Sequence, residues 1–203
     1  NISELTCHMN TDAKTPQTRN SNKWEYLFFA VFATYMIGQY LLLNRILLYF
    51  PSGFETENFY SPIAVHVAKD GFQGILNYLG GEMPPNMPYG PTFRPPLYPV
   101  TLAVLYLLTS ANEVYALILN NIYLSLTVLF TYLTGRFISQ RVGFLASFLL
   151  MMDIILISEA NSTHSDSLFL VLVSSAHYFL FRFTIAPEKI GNLVFSAILI
   201  SLA

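Results

Sequence analysis

The stretch VYALILNNIYLSLTVLFTYLTG, Val114–Gly135, contains no charged residue. A helix of about 20 mainly apolar residues covers the ~30 Å hydrocarbon core of a bilayer, so this stretch is long enough to cross one. Asn120 and Asn121 lie inside it, and such side chains typically form hydrogen bonds between neighbouring helices in a membrane. The stretch therefore predicts a transmembrane helix, and the chain around it is interpreted from that anchor.

The composition agrees with a protein that lies in lipid. Of the residues, 54% are hydrophobic, 15% aromatic and only 11% charged, whereas a soluble domain carries about 25% charged residues. The net charge of -2 offers no basic surface for nucleic acid, which we therefore exclude as a partner. A single cysteine excludes an internal disulfide framework. We predict an all-α polytopic membrane protein.

Further apolar stretches on both sides of Val114–Gly135 raise the expected total to about five transmembrane helices. They are Trp24–Leu48, Val142–Ser158 with Asp153 inside it, Asp166–Phe183, and Ile190–Ala203. The last stretch is too short to cross a bilayer and reads as the beginning of a span. We therefore expect residues 24–203 to be the N-terminal part of a longer membrane domain.

The remaining segments are polar or irregular. Residues 1–23 form a polar segment, predicted to be a flexible cytoplasmic tail. Residues 50–112 form a long first loop in which apolar residues recur every fourth position, and they predict an amphipathic surface helix near Phe59–Lys69. Leu97–Thr109 is apolar but too short to span, so we expect a half-inserted or surface helix.

The basic residues indicate the orientation. Cytoplasmic segments of membrane proteins carry an excess of Lys and Arg. With the N-terminus in the cytoplasm, seven of the ten basic residues fall on that side: Lys14, Arg19, Lys23, Arg136, Arg141, Arg182 and Lys189. The loop 50–112 then lies on the extracytoplasmic face. We expect a multi-pass protein of the plasma membrane rather than of the endoplasmic reticulum.

Four side chains on that face are candidates for chemistry. Glu55 and Glu57 precede the surface helix and could accept a proton from a hydroxyl or bind a divalent cation; alternatively they cap the helix. Asp166, next to His164 at a helix start, could act in the same way or serve as an N-cap.

Arg94 directly precedes Pro95–Pro96, so its backbone is extended and its guanidinium is held near the membrane surface. A guanidinium in that position suits a phosphate headgroup. Ordinary anchoring at the interface is the alternative.

Four segments together resemble a known family. They are Glu55–Tyr60 (ETENFY), Thr92–Pro99 (TFRPPLYP), His164–Phe169 (HSDSLF) and the basic hairpin from Gly135 to Ala146. Their order is similar to that of the GT-C-type membrane glycosyltransferases, in particular the members that use polyprenyl- or dolichyl-phosphate sugars, such as protein O-mannosyltransferases and the lipid A aminoarabinose transferase. Glu57 matches an acid of the family motif, whereas Thr56 stands where the family places Asp.

The resemblance implies that a sugar is transferred, with inversion, from a polyprenyl-phosphate donor to a hydroxyl of a lipid, glycan or protein. It implies that Glu57 or Glu55 is the general base and that Tyr60, Arg94, His164 and Asp166 bind substrate. It also implies that either Arg94 or a divalent cation, Mg²⁺ or Mn²⁺ held by Asp166, stabilises the departing phosphate.

Two other classes of protein stay open at this point. Asp153, Asp166 and Asn120 could line the polar path of a transporter or channel subunit. The chain could also be a membrane scaffold without catalytic activity, because Thr56 departs from the family pattern.

Overall fold

The structure, a computed structural model, describes residues 18–49, 60–82, 96–109, 111–162 and 164–203, and within these ranges every regular element is an α-helix. The all-α prediction is thereby confirmed for the described residues. In chain order the helices are α1 (Thr18–Tyr49), α2 (Tyr60–Lys69), α3 (Gly71–Leu79), α4 (Leu97–Leu108), α5 (Glu113–Gly135), α6 (Gln140–Met151), α7 (Ile154–Ala160), α8 (Asp166–Ile185) and α9 (Ile190–Leu202).

Three helices of the described chain are long and apolar enough to cross a membrane: Lys23–Asn44 within α1, Glu113–Gly135 and Asp166–Ile185. The bent pair α6–α7 raises the number to four if it forms one span. The helices α4 and α9 are apolar but shorter. The structure thus supports three or four spans, and the expected five are not all found.

The prediction of one continuous helix over Val142–Ser158 is wrong. The helix α6 ends at Met151, α7 begins at Ile154, and their axes differ by 63°. Asp153 lies at the break, and its Oδ1 accepts hydrogen bonds from the backbone N–H groups of Ile155 at 2.9 Å and Leu156 at 3.3 Å. A carboxylate that satisfies the free N–H groups of a helix start stabilises a new helix there.

The direction alternates along the chain from α1 to α5, to the pair α6–α7 and to α8. Phe28 of α1 stacks on Tyr132 of α5 with ring centroids 3.7 Å apart, and Ser125 of α5 donates to Met36 Sδ at 2.8 Å, so α1 and α5 are antiparallel. The helices α5 and α8 lie side by side and run in the same direction. The pair α6–α7 returns the chain between them.

This arrangement separates two ends of the bundle. At one end Arg136 Nη1 lies 3.2 Å from Glu25 Oε1, and the Arg141 guanidinium lies 5.7 Å from the centroid of the Trp24 ring. The α7–α8 connection, beside Asn120 of α5, lies at the other end. The sixteen residues between Asn120 and Arg136 correspond to about 24 Å of helix.

The helix predicted near Phe59–Lys69 is confirmed as α2, and Phe59 lies outside the described residues. Ile63 and Val67 are buried in one core with Leu102 and Tyr106 of α4. The helix α3 was not predicted. It begins at Gly71, whose φ is +62°. A Cβ at Gly74 would lie 2.2 Å from the carbonyl oxygen of Val67. Only glycine accommodates that approach.

Two glycines close the hairpin between α5 and α6. A Cβ on Gly135 would lie 2.5 Å from Gly143 Cα, and a Cβ on Gly143 would lie 2.7 Å from the carbonyl oxygen of Tyr132. Both distances are shorter than a van der Waals contact. The two backbones therefore touch directly, which sets the return angle of α6.

We predict that Gly143→Ala lowers stability by about 1–3 kcal/mol, the usual cost of inserting a methyl group where no space exists. Gly38→Ala is the matched control, since Gly38 lies inside α1 and a Cβ there meets nothing within 4 Å. Thermal unfolding of both variants in the same detergent measures the difference. Equal melting temperatures would show that the hairpin can open without cost.

Candidate functional site

Asn120 lies at the centre of the contacts at the α7–α8 end of the bundle. Its side chain is fully buried, with 0% exposure. Its Oδ1 accepts a hydrogen bond from the Tyr98 hydroxyl at 3.0 Å. Its Nδ2 donates to the carbonyl oxygen of Ser162 and, at 3.3 Å, to that of His164. A buried amide is stable in an apolar span only when such bonds satisfy it.

Asn121 is bonded to the preceding segment. Its Nδ2 lies 2.9 Å from the carbonyl oxygen of Leu117, 3.2 Å from that of Ala160 and 3.3 Å from Asn161 Oδ1. The two asparagines therefore form hydrogen bonds to neighbouring segments, as expected from the sequence. Asn121 bonds to the end of α7, and Asn120 bonds to the loop that follows it.

Tyr98 of α4 connects Asn120 to α2. Its ring meets that of Tyr60 edge-on, with centroids 5.1 Å apart and planes at 88°. Burial raises the pKa of Tyr98, and the hydrogen bond to Asn120 opposes that rise. The Tyr98 hydroxyl is therefore protonated and donates its hydrogen bond to Asn120 Oδ1.

Tyr60 in turn reaches the start of α8. Its hydroxyl lies 3.2 Å from Ser165 Oγ. Ser165 occupies the N-cap position of α8 but makes no side-chain capping bond, so its hydroxyl serves this contact instead. The first residue of α2 and the first turn of α8, which are far apart in sequence, are adjacent here.

Three ligand-type side chains cluster beside this contact. Glu159, His164 and Asp166 place one ligand atom each within 4.8 Å of one another. His164 Nδ1 lies 2.7 Å from Glu159 Oε2 and 3.1 Å from Ser162 Oγ. Two carboxylates and an imidazole fit a divalent metal, and the imidazole favours a transition metal over Mg²⁺.

A cavity of about 280 Å³ opens next to Asp166. Tyr98 and Ser165 contribute to its polar lining, and Leu168, Phe169 and Leu172 contribute to its larger apolar lining. The cavity therefore offers polar groups together with an apolar wall along α8.

The predicted site residues divide into two groups. Tyr60, His164 and Asp166 meet in one region, whereas Glu55, Glu57 and Arg94 lie outside the described residues. The sequence motifs assign no role in sugar transfer to Glu159 or Asn120, and Asn120 was a candidate only for the polar path of a transporter. The sequence shows that Glu159 lies five residues before His164. The two side chains meet because α7 ends at Ala160 and the chain turns there.

Comparison with known proteins identifies a family. The family model described as dolichyl-phosphate-mannose-protein mannosyltransferase matches residues 93–203, which is more than half of the chain. The matched segment contains Tyr98, Asn120, His164 and Asp166. No curated protein and no solved structure matches the chain.

A hydrogen bond between Ser61 and Tyr106 also joins α2 to α4. Ser61 Oγ and the Tyr106 hydroxyl lie 3.0 Å apart, and both residues are buried. Burial raises the pKa of Tyr106, with the Ser61 bond opposing it. Each hydroxyl depends on the other, because a buried polar group without a partner is costly.

We predict that Ser61→Ala destabilises the protein by about 1–3 kcal/mol, because it leaves the Tyr106 hydroxyl buried and unpaired. The double variant Ser61→Ala with Tyr106→Phe should recover most of the loss, since it removes both polar groups. Melting temperatures of the two single variants and the double variant in detergent test this coupling. Strictly additive losses would contradict it.

Proposed function

The chain belongs to the dolichyl-phosphate-mannose-protein mannosyltransferase family, and from that premise we propose that it transfers a sugar from a polyprenyl-phosphate donor to the hydroxyl of a lipid, glycan or protein acceptor. The family is of the GT-C type and acts within membranes, which agrees with the apolar spans of this chain.

The contact between Tyr60 and Ser165 is the observation that carries the proposal. It brings the first loop next to the start of α8, and the loop contains the two glutamates. Glu57 lies three residues before Tyr60 and Glu55 five, so an extended chain keeps their Cα atoms within about 11 Å and 18 Å of Tyr60. These distances are upper limits set by chain length, and we propose that one of the two acids meets the substrate near Asp166.

The proposed reaction needs one base. Glu57 or Glu55 accepts the proton of the acceptor hydroxyl, and the oxygen attacks the anomeric carbon of the donor sugar from the side opposite the phosphate. The bond between the anomeric carbon and the phosphate oxygen breaks, and the electron pair leaves with the polyprenyl phosphate. The configuration at the anomeric carbon is inverted.

The other residues bind and orient. Arg94 pairs with the phosphate, whose charge grows as the bond breaks. Tyr60 forms a hydrogen bond to the substrate. His164 and Asp166 act on it either directly, with Asp166 orienting the acceptor, or through a bound cation. The apolar lining of the cavity along α8 suits the first isoprene units of the donor.

We propose that this reaction takes place on the extracytoplasmic face, with the N-terminus in the cytoplasm. Arg136 and Arg141 lie at the opposite end of the bundle from His164 and Asp166. A basic end is typical of the cytoplasmic side, so the positions of these residues support the orientation derived from the sequence.

The transporter alternative loses support from two of the side chains on which it rested. Asp153 is used as a helix cap at an exposed break, and Asn120 is fully buried with its amide bonded to protein. Neither faces a polar path. Of the three residues, Asp166 remains, and it lies with Glu159 and His164 at one end of the bundle.

We predict that Glu57→Gln lowers sugar transfer by about 10²-fold or more, because a positioned general base contributes at least that much. If Glu55 is the base, Glu55→Gln shows the loss instead. Glu82→Gln is the matched control, since Glu82 is an exposed acid of the same loop. The assay uses the full-length protein in membranes with radiolabelled polyprenyl-phosphate mannose. Wild-type rates in both Glu55→Gln and Glu57→Gln would refute the proposed base.

We further propose that Glu159, His164 and Asp166 hold a divalent cation, with Mn²⁺ favoured over Mg²⁺ by the imidazole. A bound cation would supply positive charge beside the departing phosphate. The observation behind this is the spacing of the three ligand atoms.

We predict that Asp166→Asn weakens Mn²⁺ binding to the metal-free protein by at least about 10-fold, since it removes a charged ligand. Asp70→Asn, at an exposed turn between α2 and α3, should leave the affinity unchanged. Titration calorimetry with Mn²⁺ alone measures both. Identical affinities in the two variants would exclude Asp166 as a ligand.

A further inference from the structure

We infer that Asn120 is a positioning residue: its buried amide sets where His164 and Asp166 stand relative to Tyr60. The inference rests on the proposed function for its meaning in catalysis. It concerns a residue of a membrane-spanning helix that touches no substrate and acts only through the loop it holds.

The hydrogen bonds that the Asn120 amide donates are both directed at one loop. A single hydrogen bond to a neighbouring helix is enough for an asparagine that only joins two spans. The Nδ2 group of Asn120 instead donates to two main-chain carbonyls, those of Ser162 and His164, which stand two residues apart in one loop. Holding both carbonyls restricts the backbone that carries the His164 side chain.

A closed ring of contacts passes through Asn120. Its Oδ1 accepts from Tyr98, the Tyr98 ring supports Tyr60, and the Tyr60 hydroxyl meets Ser165, which follows His164 in the chain. Around the ring, α5, α4, α2 and the start of α8 each depend on the next. A shift of the amide therefore moves Tyr60 and His164 relative to each other.

The neighbouring residue, Asn121, has different hydrogen-bond partners from Asn120. Asn121 has the same side chain in the same span, yet it bonds to Leu117, Ala160 and Asn161 and forms no hydrogen bond with the described residues from Ser162 onward. Its Oδ1 is buried without a hydrogen-bond partner among the described residues. The two asparagines are thus a natural pair for separating positioning from general support.

The experiment compares Asn120→Leu with Asn121→Leu in the full-length protein. Leucine is apolar and of similar size, so both variants should insert into the membrane. We expect Asn120→Leu to lower kcat by about 10- to 100-fold, since misplacing a catalytic group by 1 Å can cost that much. KM for the acceptor should change little. Asn121→Leu should keep kcat within about threefold of wild type.

A double-mutant cycle shows whether the effect passes through His164. In a His164→Ala background, Asn120→Leu should cause a smaller loss of kcat than in the wild-type background, because one of the two groups it positions is already absent. Multiplicative losses would overturn the inference, since a general loss of stability would act equally in both backgrounds.

Hydrogen exchange provides a readout that does not need activity. Amide exchange of residues 169–172, the first hydrogen-bonded amides of α8, should become at least about 10-fold faster in Asn120→Leu and stay unchanged in Asn121→Leu, with residues 124–132 of α5 as the internal reference. Equal exchange of residues 169–172 in wild type and Asn120→Leu would overturn the inference. If the wild-type protein transferred no sugar, the proposed function would fail, and hydrogen exchange would still decide whether Asn120 holds the loop.

If Asn120→Leu does not accumulate in membranes, Tyr98→Phe gives the same test. It removes only the donor to Asn120 Oδ1 and keeps the ring under Tyr60. We then expect a smaller increase in exchange of residues 169–172, about threefold. Unchanged exchange in Tyr98→Phe would overturn the role of the ring of contacts.

Discussion

The burial of one amide inside a membrane-spanning helix constrains the rest of the structure. Asn120 is shielded from both lipid and water, and an amide without partners in such a place is unfavourable by several kcal/mol. The nearby polar groups that can satisfy it are the Tyr98 hydroxyl of α4 and the carbonyls of the α7–α8 loop. The fold is therefore stable only when α4 and that loop both lie against α5. The site forms where these elements meet.

The break between α6 and α7 has a comparable effect on the site. A straight helix would carry Glu159 further along the membrane normal and away from α5. Because Asp153 starts a new helix at an angle of 63°, α7 ends beside Asn121, and the loop after it folds back onto Asn120. A charge that is costly in lipid thus becomes useful at a helix start. The break brings Glu159 to His164.

Sequence reasoning succeeded where one physical property acts over many residues. The helices α1, α5 and α8 follow from long uncharged stretches, and α2 follows from the fourfold spacing of its apolar residues. It failed for α3 and for the α6–α7 break. Hydropathy averages over a window and does not register that one aspartate can cap a helix, and nine residues with a glycine in the middle do not predict a helix.

By itself the sequence determined that the chain is helical and lies in a membrane, because apolar composition and helical length are local properties that need no partner. It also identified Tyr60, His164 and Asp166 as candidates from their motifs. Only the tertiary structure decided that these residues meet and that Glu159 joins them. Their contacts join residues that are up to about a hundred positions apart in the chain. Hydrophobicity alone would allow many helix packings, and the hydrogen bonds to Asn120 stabilise the one in which these residues are adjacent.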